Sequence, residues 1–171
     1  MYKGQSYNIC QNHKNTYKST NYKRQPGNNI KKFHVAHNLS NFKNTSHVGR
    51  LGEDIACKYL LRHGFKVLEQ NYYRKVGEID IIASKSGQIH FIEVKSVSYE
   101  TMAALKHSVT HETWQPEELV HDSKLHQIAK TIDIWLSERS YDGPWYIDIM
   151  TVRIVPRETF ATVKLLENIT K

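Results

Sequence analysis

The stretch "GEIDIIASKSGQIHFIEVKS", residues 77–96, constrains the fold more than any other part of the chain. Two runs of alternating apolar residues flank Ser86-Gly87, its only turn-like pair, so it reads as a β-hairpin. A two-residue loop there sets Ile82 opposite Phe91, Asp80 opposite Glu93 and Glu78 opposite Lys95. On the other face Ile79, Ile81 and Ala83 meet Val94, Ile92 and His90. Any even loop with this centre keeps the pairing; an odd loop or a bulge shifts it. Opposed Cβ atoms lie about 4.5–5.5 Å apart, and same-face neighbours such as Glu93 and Lys95 about 6.6 Å. Four charged groups then share one small patch.

Such a patch is costly. Facing carboxylates raise one another's pKa, and an unpaired charge beside a core costs several kcal/mol. A hard cation removes the conflict: oxygen ligands at about 2.0–2.6 Å suit Mg²⁺ or Mn²⁺. Such an ion lowers the pKa of a bound water, and a nearby ammonium steadies developing charge, which is the chemistry of phosphodiester hydrolysis. Spacing alone also allows a plainer arrangement, a Glu78–Lys95 salt bridge at a sheet edge with Asp80 and Glu93 solvated beside it.

A chain of 171 residues suits one domain with a sizeable core. It has no apolar run of membrane-crossing length and no signal-peptide pattern, so no membrane partner is expected. Cys10 and Cys57 stand far apart, outside any CxxC pair, which fits a reducing cytoplasm. Residues 1–47 carry eight Lys and Arg and no acid, whereas residues 48–171 carry 16 basic and 17 acidic side chains. The excess charge is thus in an Asn-rich tail with too few aliphatics to offset the entropy of ordering, and residues 1–47 are expected to be disordered. Lys18, Lys23, Arg24, Lys31 and Lys32, interleaved with Tyr17, Tyr22 and Phe33, would suit nucleic acid: the cations neutralise phosphates and the rings stack on bases. A solvated extension without a partner is the competing reading.

From Val48 the pattern is globular. Val48, Leu51, Ile55, Tyr59 and Leu60 recur at helical spacing up to Gly64. "FKVLEQNYY" and the hairpin follow as strands, then a polar connection over about residues 97–115. Leu125, Ile128, Ala129, Ile132, Trp135 and Leu136 predict a second helix with Trp135 in the core, opened by Pro116 with Glu117 and Glu118 or capped by Asp122. "WYIDIMTVRIV" is a strand; "ATVKLLENI" fits a short strand or a helix. The order α-β-β-β-α-β implies an α/β fold, a mixed central sheet flanked by helices, over residues 48–171.

Asp80 followed by Glu93-Val94-Lys95 resembles the core of the PD-(D/E)XK nuclease superfamily. The wider run "GRLGEDIACKYLLRHGFKVLEQNYYRKVGEIDIIA…FIEVKS" is similar to the YraN-like family of small, Holliday-junction-resolvase-like proteins, and a weaker likeness continues through "PEELVHDSKLHQIAKTIDIWL" and "YIDIM". The resemblance implies a restriction-endonuclease-like fold in which Asp80 and Glu93 bind a divalent metal, Lys95 assists the water and Glu53 approaches from the first helix. Glu78 and Lys124 enter as accessory residues, and Asp148 has a counterpart of open role. Glu78-Ile79-Asp80 stands where the superfamily's name has Pro-Asp, though YraN-like sequences carry Gly-Glu-Ile-Asp there. The tail is outside the pattern. By analogy, resolvase-like relatives that pair on symmetric substrates suggest a homodimer.

His107 and His111, four apart, and His121 and His126, five apart, bring zinc to mind, but no third ligand has matching spacing. Trp114 and Trp145 suit rim packing or base stacking. Two functions follow. One is a Mg²⁺- or Mn²⁺-dependent endonuclease acting on DNA, including branched or damaged forms. The other is a non-catalytic nucleic-acid-binding or adaptor protein whose tail supplies the affinity.

Overall fold

A computed structural model describes residues 31–34, 45–111 and 122–169. The elements are β1 (Lys31–His34), α1 (Thr45–Arg62), β2 (Lys66–Arg74), β3 (Gly77–Lys85), β4 (Gln88–Ser98), α2 (Met102–Thr110), α3 (Asp122–Arg139), β5 (Trp145–Val155), a 3-10 turn (Pro156–Glu158) and β6 (Phe160–Leu166). One six-stranded sheet has the order β1-β6-β5-β4-β3-β2. β4 and β5 run parallel, joined across α2 and α3, and the other neighbours are antiparallel. This is the mixed α/β architecture expected, consistent with a restriction-endonuclease-like core. Among the described residues no helix is long and apolar enough to cross a membrane.

Each face of the sheet buries its own cluster. Leu51, Ile55, Tyr59 and Leu60 of α1 pack with Ile81, Ala83, Ile92, Met150, Val152 and Val163. On the opposite face Ile128, Ile132 and Trp135 of α3 pack with Tyr72, Ile82, Phe91 and Ile147. Each fully buried Leu or Ile contributes about 1.5–3 kcal/mol relative to exposure. Helix α1 ends where its apolar stripe does: the Phe65 N–H bonds Leu60 O at 3.0 Å and the Gly64 N–H bonds Leu61 O at 3.3 Å, leaving Leu60 and Phe65 in one cluster. Trp135 is core as expected, 3% exposed, with its indole N–H donated to Glu69 Oε1 at 2.8 Å.

The structure differs from the expectations in several places. Lys31–His34, within the stretch expected to be disordered, pairs antiparallel with β6, Lys31 with Val163 and Lys32 with Thr162. The outer edge of β6 offers unpaired backbone groups, and a four-residue strand satisfies them. Lys18, Lys23 and Arg24 lie outside the described residues, as do Trp114, Pro116, Glu117, Glu118 and His121. Helix α1 starts at Thr45, ahead of its first apolar contact. The polar connection contains a helix, α2, whose Thr101 side chain accepts the Ala104 N–H at 3.1 Å. Met102, Leu105 and Val109 are its apolar spacing, packed with Val155 and Phe160. The undecided "ATVKLLENI" enters strand β6.

A forked sheet with two carboxylates at the fork

The hairpin turns at Ser86 (φ 51°) and Gly87 (φ 81°), both left-handed as a type I′ loop requires. Lys85↔Gln88, Ser84↔Ile89, Ala83↔His90, Ile82↔Phe91 and Ile81↔Ile92 follow in the register anticipated from the turn. There the ladder stops. Below Ile81, β3 continues paired with β2 alone, Ile79 opposite Tyr72 and Glu78 opposite Tyr73. Beyond Ile92, β4 continues with β5 alone, Glu93 opposite Ile149 and Lys95 opposite Thr151. The sheet forks, and Asp80 and Glu93 are the first residues of its two prongs.

Side-chain alternation slips at the same point. Ile79 was expected to share a face with Ile81 and Ala83, but it packs with Ile82 in the α3 cluster, whereas Ile81 and Ala83 belong to the α1 cluster. Asp80 sits at the slip. Its Oδ2 accepts the Val94 main-chain N–H at 2.6 Å, so a side chain takes the place of the backbone acceptor where the strands part. The expected Glu78–Lys95 opposition does not form, because it needs the ladder to run on past Ile81.

Glu93 faces α3. Its side chain is 6% exposed, and its Oε1 accepts from Lys95 Nζ at 2.9 Å and pairs with Lys124 Nζ at 3.2 Å. Its Oε2 is buried with no hydrogen-bond partner among the described residues. Burial first, then the neighbouring Glu93 charge, push the Asp80 carboxyl up to about 7; the Val94 N–H and Lys124 oppose the shift, and Glu53 adds to it.

Glu53 comes from the other face. The preceding Gly52 presses α1 onto β4 so tightly that a Cβ there would lie 1.9 Å from Ser96 Oγ. Partial burial raises the Glu53 carboxyl, a hydrogen bond from the Asn71 side chain opposes this, and Glu78 and Asp54 repel it further. The fork thus gathers Glu53, Asp80, Glu93, Lys95 and Lys124, with Glu78 exposed on its rim. Two contributors have little sequence signature: the Val94 N–H, and Asn71, whose positive φ suits an Asn.

Other candidates fall elsewhere. Asp148 is fully buried on β5, where its Oδ2 bonds His90 Nδ1 at 2.7 Å and its Oδ1 accepts the Asn168 N–H at 2.9 Å. Alternation along β5 puts it on the α1 face with Met150 and Val152, opposite to Glu93. His107 and His111 stack at 4.0 Å, so the in-plane nitrogens of the parallel rings do not converge on one ion. Trp145 is 36% exposed at the start of β5, edge-on to Phe91.

Among the described residues no group of three or more His, Cys, Asp or Glu is poised to hold a metal ion. The chemistry of the fork still fits a hard cation. Its donors are carboxylate oxygens, one is buried without a partner, and Asp80 and Glu93 repel each other.

A sequence model of the uncharacterised protein family UPF0102 matches residues 52–152, more than half of the chain. The chain belongs to UPF0102. This YraN-like family is a nuclease-like member of the PD-(D/E)XK superfamily. A UPF0102 protein of Campylobacter fetus subsp. fetus (strain 82-40) is 40% identical over 106 residues, 61% of this chain and 81% of that protein. One from Campylobacter jejuni subsp. jejuni (strain 81-176) is 36% identical over 105 residues, 61% of this chain and 82% of its own. One from Helicobacter pylori (strain HPAG1) is 37% identical over 131 residues, 75% of this chain and 97% of that protein. The UPF0102 match spans Glu53, Asp80, Glu93, Lys95 and Lys124, and begins beyond the basic tail.

Proposed function

We propose that this UPF0102 chain is a metal-dependent endonuclease that hydrolyses phosphodiester bonds in DNA, branched or damaged forms included. The observation that carries the reading is the buried, unpartnered Oε2 of Glu93 beside Asp80, whose carboxyl is raised by burial and by Glu93. A structural ion pair needs no such orphan, since an unmet buried acceptor costs about 1–3 kcal/mol. Asp80 and Glu93, with Glu53 from α1, would hold Mg²⁺ or Mn²⁺. When bound, such an ion lowers the pKa of a ligated water and withdraws charge from a phosphoryl oxygen.

The chain's own groups do the rest. Lys95, beside Glu93, would hold the attacking water or the developing negative charge, and Lys124 would meet a phosphate oxygen. The Val94 N–H fixes Asp80 across the fork. The cytoplasm, a homodimeric state and tail contacts from Lys18, Lys23, Arg24, Lys31 and Lys32 complete the proposal.

A non-catalytic nucleic-acid-binding protein is the second reading. It is favoured by the two ammonium groups that already satisfy Glu93 Oε1 and by the lack of a ready three-carboxylate group among the described residues. The test is cleavage of labelled single strand, duplex, flap and four-way junction DNA with Mg²⁺ or Mn²⁺ against EDTA. Metal-dependent cutting supports the first reading; salt-sensitive binding without cutting supports the second.

A further inference from the structure

Beyond the fork, β4, β5 and β6 present a row of polar side chains on the face that carries Glu93. Lys95 pairs with Thr151 and Thr151 with Lys164, so the three stand side by side. Adjacent strands lie about 4.8 Å apart, which flanks the Thr151 hydroxyl with two lysine stems. One row farther come Val97, Arg153 and Thr162. Met150, Val152 and Val163 pack under α1, so alternation turns Thr151, Arg153, Thr162 and Lys164 to the opposite face. On that face α3 packs with Phe91 and Ile147 at one end, and α2 with Val155 and Phe160 at the other. The row lies between them.

The charge of this face is one-sided. β4, β5 and β6 hold one Lys or Arg each, namely Lys95, Arg153 and Lys164, and all three are on it. Of the acids on these strands only Glu93 shares it, because Asp148 is on the α1 face. Lys95 Nζ is turned to Glu93 Oε1 at 2.9 Å. Lys164, half-buried, enters no ion pair among the described residues. Thr151 is 1% exposed, and its Oγ1 has no hydrogen-bond partner among the described residues. A buried hydroxyl left unmet is costly, and a bound acceptor removes that cost.

We propose that Thr151 and Lys164 form a second anion subsite, which takes a non-scissile phosphate of the nucleic-acid strand bound at the fork. The Thr151 O–H donates to a phosphate oxygen and Lys164 neutralises its charge, with Arg153 one row behind. Glu93 precedes Lys95 by two residues, about 6.6 Å along β4, so one strand can reach both places. This deepens the phosphodiester reading of the fork and rests on it.

Binding of a labelled single-stranded DNA to the full chain in EDTA, where no cutting occurs, tests it. Thr151→Val keeps the shape and removes the hydroxyl. Affinity should fall about tenfold, the scale of one hydrogen bond to a charged group, while the melting temperature equals or exceeds that of wild type, since no partner is lost. Lys164→Gln should flatten the slope of log affinity against log salt by about 0.7, the value for one phosphate contact on a single strand. Lys66→Gln, a control at an exposed position of β2, should leave that slope unchanged. Wild type that does not bind, undiminished affinity or a lowered melting temperature in Thr151→Val, or a Lys164→Gln slope no different from that of Lys66→Gln overturns the proposal. Displacement by inorganic phosphate as readily as by unlabelled strand also overturns it, by marking a site for a free anion. If the expected changes appear but Mn²⁺ brings no cutting, the hydrolytic reading of the fork fails alone and the subsite stands.

Discussion

Asp80 Oδ2 and the Val94 main-chain N–H, 2.6 Å apart, bridge the point at which β3 and β4 separate. One carboxylate oxygen therefore closes the sheet while the group as a whole stands against Glu93. Substitution should separate the two duties. Asp80→Asn keeps an acceptor for Val94 and should fold with unchanged or slightly raised stability. Asp80→Ala strands the Val94 N–H and should lose about 1–3 kcal/mol, read by urea unfolding.

The raised Asp80 carboxyl fixes a pH dependence. Between its ordinary value near 3.8 and its folded value of about 7, the folded chain holds a proton that the unfolded chain has released. Stability should then fall as pH rises through this window, and level off above it. Metal-free melting temperatures from pH 4 to 8 should show the decline in wild type and less of it in Asp80→Asn. Mn²⁺ affinity should rise over the same range, since a ligand carboxyl must lose its proton.

Glu93 Oε1 has two cationic neighbours, so single losses should be buffered. Lys124→Ala, with Lys95 still at 2.9 Å, should cost about 1 kcal/mol or less, because Lys124 is one-third exposed and screened. Lys95→Ala combined with Lys124→Ala leaves the carboxylate buried and unpaired, and should cost about 3–5 kcal/mol. Denaturant unfolding of the two singles and the double checks the non-additivity.

The hairpin was legible because its turn residues and alternation fix one register, and that register holds from Lys85 to Ile81. It was not legible where a side chain replaces a backbone partner: nothing in Glu78-Ile79-Asp80 announces that Asp80 will bond Val94 and throw Ile79 to the other face. Helix α2 escaped because three apolar residues, Met102, Leu105 and Val109, are a thin stripe in a polar segment. Edge strand β1 escaped because its order comes from β6, a long-range contact that composition does not carry. Of the candidate site, Asp80, Glu93 and Lys95 were legible in the hairpin itself, whereas Glu53 and Lys124 entered only through the family resemblance.

Gly52 controls how close Glu53 comes to the fork. A Cβ at this position would sit 1.9 Å from Ser96 Oγ and 2.6 Å from Ser96 Cβ. Gly52→Ala should therefore destabilise by about 1–3 kcal/mol through overpacking, despite the gain in helix propensity. Ser96→Gly in the same chain should recover much of the loss and Ser96→Ala little, since its Cβ remains. Thermal unfolding of the four proteins gives the answer.

The carboxylate pair Asp80 and Glu93 is proposed to serve phosphodiester hydrolysis. The direct measurement is cleavage of a labelled four-way junction and its matched duplex by wild type and Asp80→Asn side by side, with Mn²⁺ and with EDTA, and with binding followed in parallel. Mn²⁺-dependent cutting is expected of wild type, with about a hundredfold less from Asp80→Asn, the scale of losing one group of a charge-stabilising site, and similar DNA binding by both. Equal cutting by the two proteins, or binding without cutting by either, contradicts that role.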